Sequence, residues 1–165
     1  MRHSLECAEI VKSIPLFSKM DIELGSVAAL LHDVGKIRTL ASGLKSTGAC
    51  FLLNHDALTL EVISPYLKRL DDDWPDGGSA LRYLLTWKNH NYRPFPLMTI
   101  AEAVISADRI SSGLDREQTA FSDLPSWRNL GESGSRQGFW RPKLYHENLS
   151  IMTMNPTPDQ QRQAI

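Results

Sequence analysis

The chain has 165 residues, 42 % of them hydrophobic, and a formal net charge of −1. That length suits one domain with a real core, and the apolar content excludes a disordered chain. The near-zero charge excludes a broad basic surface that would hold nucleic acid by charge alone, though a small channel can still be locally basic.

The pattern is helical for most of the length. Ser4 to Lys12 carries Leu5, Ala8, Ile10 and Val11, which fit a helix with one buried stripe. Pro15 ends that helix or starts a short one. Asp21 can cap a second helix over Ile22 to His32, with Leu24, Val27, Ala28 and Leu31 inside, and Gly35 stops it. Ile37 to Leu53 reads as a loop or short turns. A third helix starts near Asn54 and reaches about Leu70, with Pro65 expected to kink or split it. Asp71 to Gly78 (DDDWPDGG) reads as a turn, after which Ser79 can cap a fourth helix to about His90. Asn91 to Pro96 is a loop. A fifth helix is expected from about Thr99 to Leu114. The expected fold is therefore all-α, with residues 1–120 as the helical domain. Residues 121–165 form an irregular C-terminal extension in which Phe139, Trp140, Leu144 and Tyr145 can make a strand, a small hairpin or a loose arm.

Cys7 and Cys50 show no metal-ligand spacing, so free thiols in a reducing cytoplasm are expected. No apolar run approaches the length of a membrane span, and the N-terminus leads into an amphipathic pattern rather than a signal peptide. No internal repeat is present.

The run LLHDVGK at Leu30–Lys36 carries the strongest chemical signal. An adjacent His-Asp pair is common by chance. His32 and Asp33, however, end an apolar helix, are followed by Gly-Lys, and have His3, His55, His90 and Asp108 on other apolar helices. Imidazole with carboxylate suits a divalent transition metal, and a carboxylate beside a histidine can bridge two ions in a site that activates water against phosphate. The ordinary explanation of each residue alone is a helix-end interaction with the dipole, a cap, or a frayed terminus. Asp108 resists it, because a carboxylate on the most apolar helix needs a cation if it points inward, and Arg109 next to it in sequence faces elsewhere. Four of the five histidines lie at helix ends, where a bundle converges side chains on one site. The fifth, His146, reads as surface. Lys36 and Arg38 are solvated lysine and arginine or phosphate-holding cations. Trp87, Tyr92 and Phe95 around His90 are core, or a stacking wall for a base.

These motifs resemble the HD-domain superfamily of metal-dependent phosphohydrolases over about Arg2 to Glu117. The resemblance implies an HD helical bundle with one or two divalent ions, the metal being Mn, Fe, Mg, Ni, Co or Zn. It implies His3, His32, Asp33 and Asp108 on the first ion, with Asp33 bridging to a second held by His55 and His90. Asp33 and Lys36 would be catalytic, and Lys36, Arg38, Tyr92, Arg93 and Arg109 would meet substrate. Within the superfamily, RHSLE, LLHDVGK and HDALTLEVI look like the HD domain of MobH-type (TraI-type) conjugative relaxases, although in that group a His-rich segment and a Gly-Gly-Leu precede the first motif histidine. ADRISSGLDRE at Ala107–Glu117 is similar to the HD nuclease domain of type III CRISPR large subunits, and HD-type exoribonucleases share the plan. The resemblance thus implies a nuclease acting on nucleic acid, with conjugation or mobile-element machinery as a partner; a pocket between helices would admit a single strand rather than a duplex. A nucleotide or cyclic-dinucleotide phosphohydrolase, or a degenerate HD domain used for binding, are the alternatives.

Overall fold

The structure is a computed structural model that describes residues 2–39, 48, 52–88, 95–134 and 137–142. The described residues are mostly helical, as expected, with one two-stranded hairpin near the C-terminal end. Backbone contacts divide the chain into two compact units, Met1–Leu114 and Asp115–Ile165.

In the first unit, α1 spans Arg2–Lys12 and buries Cys7, Ala8 and Val11, which share a face at helical spacing. Helix α2 spans Lys19–Leu31. Its cap is Ser18 rather than Asp21. The Ser18 hydroxyl oxygen accepts from the Asp21 amide at 3.1 Å and donates to the Asp21 carboxylate at 2.7 Å. Asp21 therefore sits inside the first turn, in the acidic position of a capping box. The inner face of α2 is made of small residues, Gly25, Ser26, Ala28 and Ala29. A Cβ on Gly25 would stand 2.6 Å from Ile100 Cγ1, so the glycine lets Ile100 approach the helix backbone.

Helix α2 does not run on to a glycine stop. It ends at Leu31, a turn covers 32–35, and a short helix α3, Lys36–Thr39, follows where a loop was expected. Gly35 is required for another reason. A Cβ there would collide with the His55 carbonyl oxygen and the Thr59 amide. The turn instead presses onto the start of α4, His55–Asp73, whose cap is Asn54. The Gly35 N–H donates to Thr59 Oγ1 at 3.0 Å, and that hydroxyl donates to the His32 carbonyl at 3.0 Å.

Pro65 does not split α4. It lies on the exposed side between the buried Ile63 and Leu67, so the helix loses one backbone bond and keeps its packing face. The DDDWPDGG segment is not a turn. Its first three aspartates complete α4, and Pro75 opens α5, Pro75–Thr86, from the first helical position, so Ser79 is not the cap. Trp74 joins the two helices: its N–H donates to the Leu70 carbonyl, and its carbonyl accepts from the Gly78 amide. Arg82 closes the corner with two 2.7 Å bonds to the Asp71 carboxylate. Helix α5 ends at Thr86 rather than near His90, and the expected continuation past Lys88 lies outside the described residues. Helix α6, Ile100–Phe121, is longer than the expected Thr99–Leu114, because no breaker follows until Ser122 and Pro125.

Helix α1 packs on α2, α2 on α5, α4 on α5, and α3 on α4. Val11, Ala28, Ala29, Leu84, Ile100 and Ala107 belong to one buried cluster. In the second unit, β1 (Leu130–Glu132) pairs antiparallel with β2 (Gly138–Trp140). Arg141 fastens it, with its guanidinium 4.2 Å from the Phe121 ring and bonded to the Pro125 and Arg128 carbonyls. Among the described residues no helix is long and apolar enough to cross a membrane.

Candidate metal centre

Three helix positions in the first unit deliver the cluster. His3 opens α1, His32 and Asp33 follow the last turn of α2, and Asp108 lies on α6. His3 Nε2 is 3.0 Å from Asp108 Oδ1 and 3.9 Å from Asp33 Oδ2. His32 Nε2 is 3.5 Å from Asp33 Oδ2 and 3.8 Å from Asp108 Oδ1. The two rings meet edge to face, with centroids 5.3 Å apart.

The hydrogen bonds on the far sides of the rings fix which nitrogen faces inward. His32 Nδ1 is 2.7 Å from the Ala29 carbonyl, which can only accept, so Nδ1 carries the proton. His32 Nε2 is then a bare lone pair. It is buried and has no hydrogen-bond partner among the described residues. His3 is set the same way. The Ser111 hydroxyl donates to Glu6 Oε2 at 2.8 Å, so its oxygen accepts from His3 Nδ1 at 2.9 Å. In the neutral ring, His3 Nε2 then confronts a carboxylate oxygen as one acceptor to another. Two imidazole lone pairs and two carboxylates thus point into one small volume, a donor set that a divalent cation would satisfy, with the Asp108 side chain half exposed beside it. A histidine anchored through one nitrogen, with the other aimed inward, is how metal-ligating imidazoles are held. The donor set fits a divalent ion.

Some internal charge compensation exists. Lys36 Nζ donates to Asp33 Oδ2 at 2.6 Å, and Ser112 donates to Asp108 Oδ1 at 3.3 Å. Asp33 is only 15 % exposed. Burial works to raise its carboxyl, but the Lys36 hydrogen bond and the neighbouring His32 outweigh it and hold the group below the usual carboxylate range. Glu6 is also held low, by Arg2 first and Ser111 second.

Cys7 is a residue the sequence reading left as a free thiol. Its sulfur, with donor atoms of His3, His32 and Asp108, belongs to a group lying within 4.8 Å of one another. It is 3.9 Å from His3 Nδ1 and 3.8 Å from Nε2. A sulfur equidistant from both ring nitrogens lies off the Nε2 lone-pair axis. Burial, followed by the Asp108 charge, pushes its thiol up to about 11. As placed, Cys7 packs against the His3 ring as a protonated thiol.

A cavity of about 400 Å³ is lined by His32 and Asp108 of this cluster together with His55, Asp56 and Lys88. Trp87 and Arg109 also line it. His55 Nε2 lies 3.1 Å from Asp56 Oδ1, and Lys88 Nζ pairs with Asp56 Oδ2. Sequence reasoning did not single out Lys88, Ser111 or Glu6 for the site; their partners are remote in sequence or ordinary by type. Lys36 and Arg38 sit exposed on α3. His90, Tyr92 and Arg93 lie outside the described residues, as do His146 and Cys50.

The protein-family model for the HD domain matches residues 1–118. No curated protein matches the chain, and no solved structure does.

Proposed function

The chain belongs to the HD-domain family, and from that premise we propose that it is a metal-dependent phosphodiesterase acting on single-stranded nucleic acid. Family membership implies metal-dependent phosphohydrolase activity and divalent-metal binding; the substrate is our reading. One observation carries the metal part: two inward-facing imidazole lone pairs, one of them buried without a partner, stand among two carboxylates. A divalent ion held by His3, His32, Asp33 and Asp108 would supply Lewis acidity and an acidified water. A second ion on His55 and His90, bridged by Asp33, is expected from the family resemblance.

The chain's own residues do the positioning. Lys36, already against Asp33, is placed to take a substrate phosphate oxygen as a charge-assisted donor. Arg109 and Trp87 line the adjoining cavity, one a cation for phosphate and the other a face for a base. Arg38, Tyr92 and Arg93 are the further contacts expected at the rim. The motif words of the MobH-type relaxases support nucleic acid as substrate and conjugation or mobile-element machinery as the setting. A second reading has its own support. A cavity of about 400 Å³ falls within the usual size of small-molecule sites, which favours a nucleotide or cyclic-dinucleotide hydrolase.

The experiment titrates labelled single strand, duplex and mononucleotide at two salt concentrations, with hydrolysis followed under a panel of divalent metals. Single strand should bind best, and affinity should fall only shallowly with salt because few phosphates are neutralised. Binding or hydrolysis of the mononucleotide alone would replace the nuclease with a nucleotidase. A folded protein inactive under every metal would favour a binding module.

A further inference from the structure

The metal site leaves unexplained why His3, in the first turn of a helix that starts at Arg2, should be held at all. The answer lies on its other nitrogen. Ser111 is one helical turn beyond Asp108 on α6, and the two residues grip the His3 ring from its two sides: Ser111 Oγ at Nδ1, 2.9 Å, and Asp108 Oδ1 at Nε2, 3.0 Å. Ser111 is itself 2 % exposed. Its single proton goes to Glu6 Oε2 at 2.8 Å, and Glu6 Oε1 accepts from Arg2 Nε at 2.6 Å. A serine with its proton spent on a carboxylate can only accept from the ring. We propose that Glu6 and Ser111 are positioning residues for the metal: they lock His3 in the Nδ1–H form and aim its Nε2 lone pair at the ion. This rests on the metal reading above.

The alternative is that Ser111 and Glu6 merely tie α1 to α6. The two roles separate in metal affinity and in the ring's proton. A packing role would move the thermal midpoint of the metal-free protein and leave metal affinity alone. A positioning role moves metal affinity, because partners behind ligating histidines typically change it by about 10–100-fold.

The test is calorimetric titration of the metal-free full chain with Mn²⁺, alongside its thermal midpoint and long-range ¹⁵N spectra of the histidine rings. Ser111→Ala should weaken Mn²⁺ binding by roughly 10–100-fold, and Ser111→Thr, which restores the hydroxyl, should recover most of it. Glu6→Gln keeps an acceptor but loses the charge, so its loss should be smaller than that of Ser111→Ala. Ser111→Ala combined with Glu6→Ala should bind no worse than Ser111→Ala alone, since the two act through one chain. The wild-type His3 ring should show its proton on Nδ1. A folded Ser111→Ala that binds Mn²⁺ as tightly as wild type overturns the proposal. If Ser111→Ala does not fold, undiminished binding by Glu6→Gln together with a His3 proton on Nε2 overturns it equally. A wild type that binds no divalent metal overturns it too, and takes the metal reading with it.

Discussion

Two banks of side chains, built from the same residue types, reach the cavity through His55, Asp56 and Lys88 for the one and through His32 and Asp108 for the other, and they behave differently. On one bank Asp56 lies beside His55 and already has the Lys88 ammonium. On the other, His3 and His32 direct lone pairs at Asp108 and Asp33, with Lys36 touching only Asp33. The first bank carries its own cation. Among the described residues the second has one ammonium for two carboxylates, and its rings are set by bonds behind them. A histidine beside a carboxylate is therefore not by itself a metal signature; the deciding feature is whether the chain supplies the neutralising charge.

The largest effect should come from breaking the second bank. Asp33→Ala should reduce metal-dependent hydrolysis of bis-p-nitrophenyl phosphate to the metal-free background, while far-ultraviolet circular dichroism stays helical. An active Asp33→Ala would contradict the mechanism. His32→Ala should weaken metal binding by more than the roughly 100-fold upper range for outer partners, since it removes a ligand itself. Titration stoichiometry reads the number of ions, one for the first group alone and two if His55 and His90 hold another.

The contrast sharpens in thermal unfolding. Metal at a hundred times its dissociation constant should add about 2.7 kcal/mol to wild-type stability. Asp108→Ala should lose that gain, whereas Lys88→Met should keep it, because the Lys88 charge serves the other bank. A Lys88→Met variant that no longer gains stability from metal would erase the distinction between the banks. Metal affinity should also fall as pH falls, because ligands must shed protons to bind.

The smallest effect concerns a carboxylate far from metal that has its own partner. Arg82 holds the Asp71 carboxyl below its ordinary value. A lowered folded value means the stabilisation is present above pH ~4 and is lost as pH falls through the folded value. The urea midpoint of Arg82→Met should lie below wild type at neutral pH, and the gap should close in strong acid. A gap that persists in acid would assign the effect to packing.

What the sequence conveyed tracks how local each signal is. The helical class was legible from apolar spacing, and HDVGK from its contiguity. Asp108 stood out as an acid on an apolar helix, and it lies beside His3 and His32 with its side chain half exposed. The DDDWPDGG segment misled because Pro and paired Gly are turn signals, yet Pro is at home in the first turn of a helix and Trp74 bonds to both flanking helices. Pro65 does not split its helix, because it lies on the exposed side and the packing face runs on past it. The roles of Ser111 and Lys88 were invisible, since each depends on a partner brought close only by folding, Ser111 from 105 positions away in the case of Glu6. Gly35 was noticed as a helix stop, whereas its constraint is the backbone of α4 pressed beside it.

The most direct test of the account is an anomalous-difference map from crystals grown with Mn²⁺. The account predicts one strong peak within roughly 2.0–2.4 Å of donor atoms from His3, His32, Asp33 and Asp108. A map with no peak between those side chains, in a protein that binds the metal elsewhere or not at all, would contradict it.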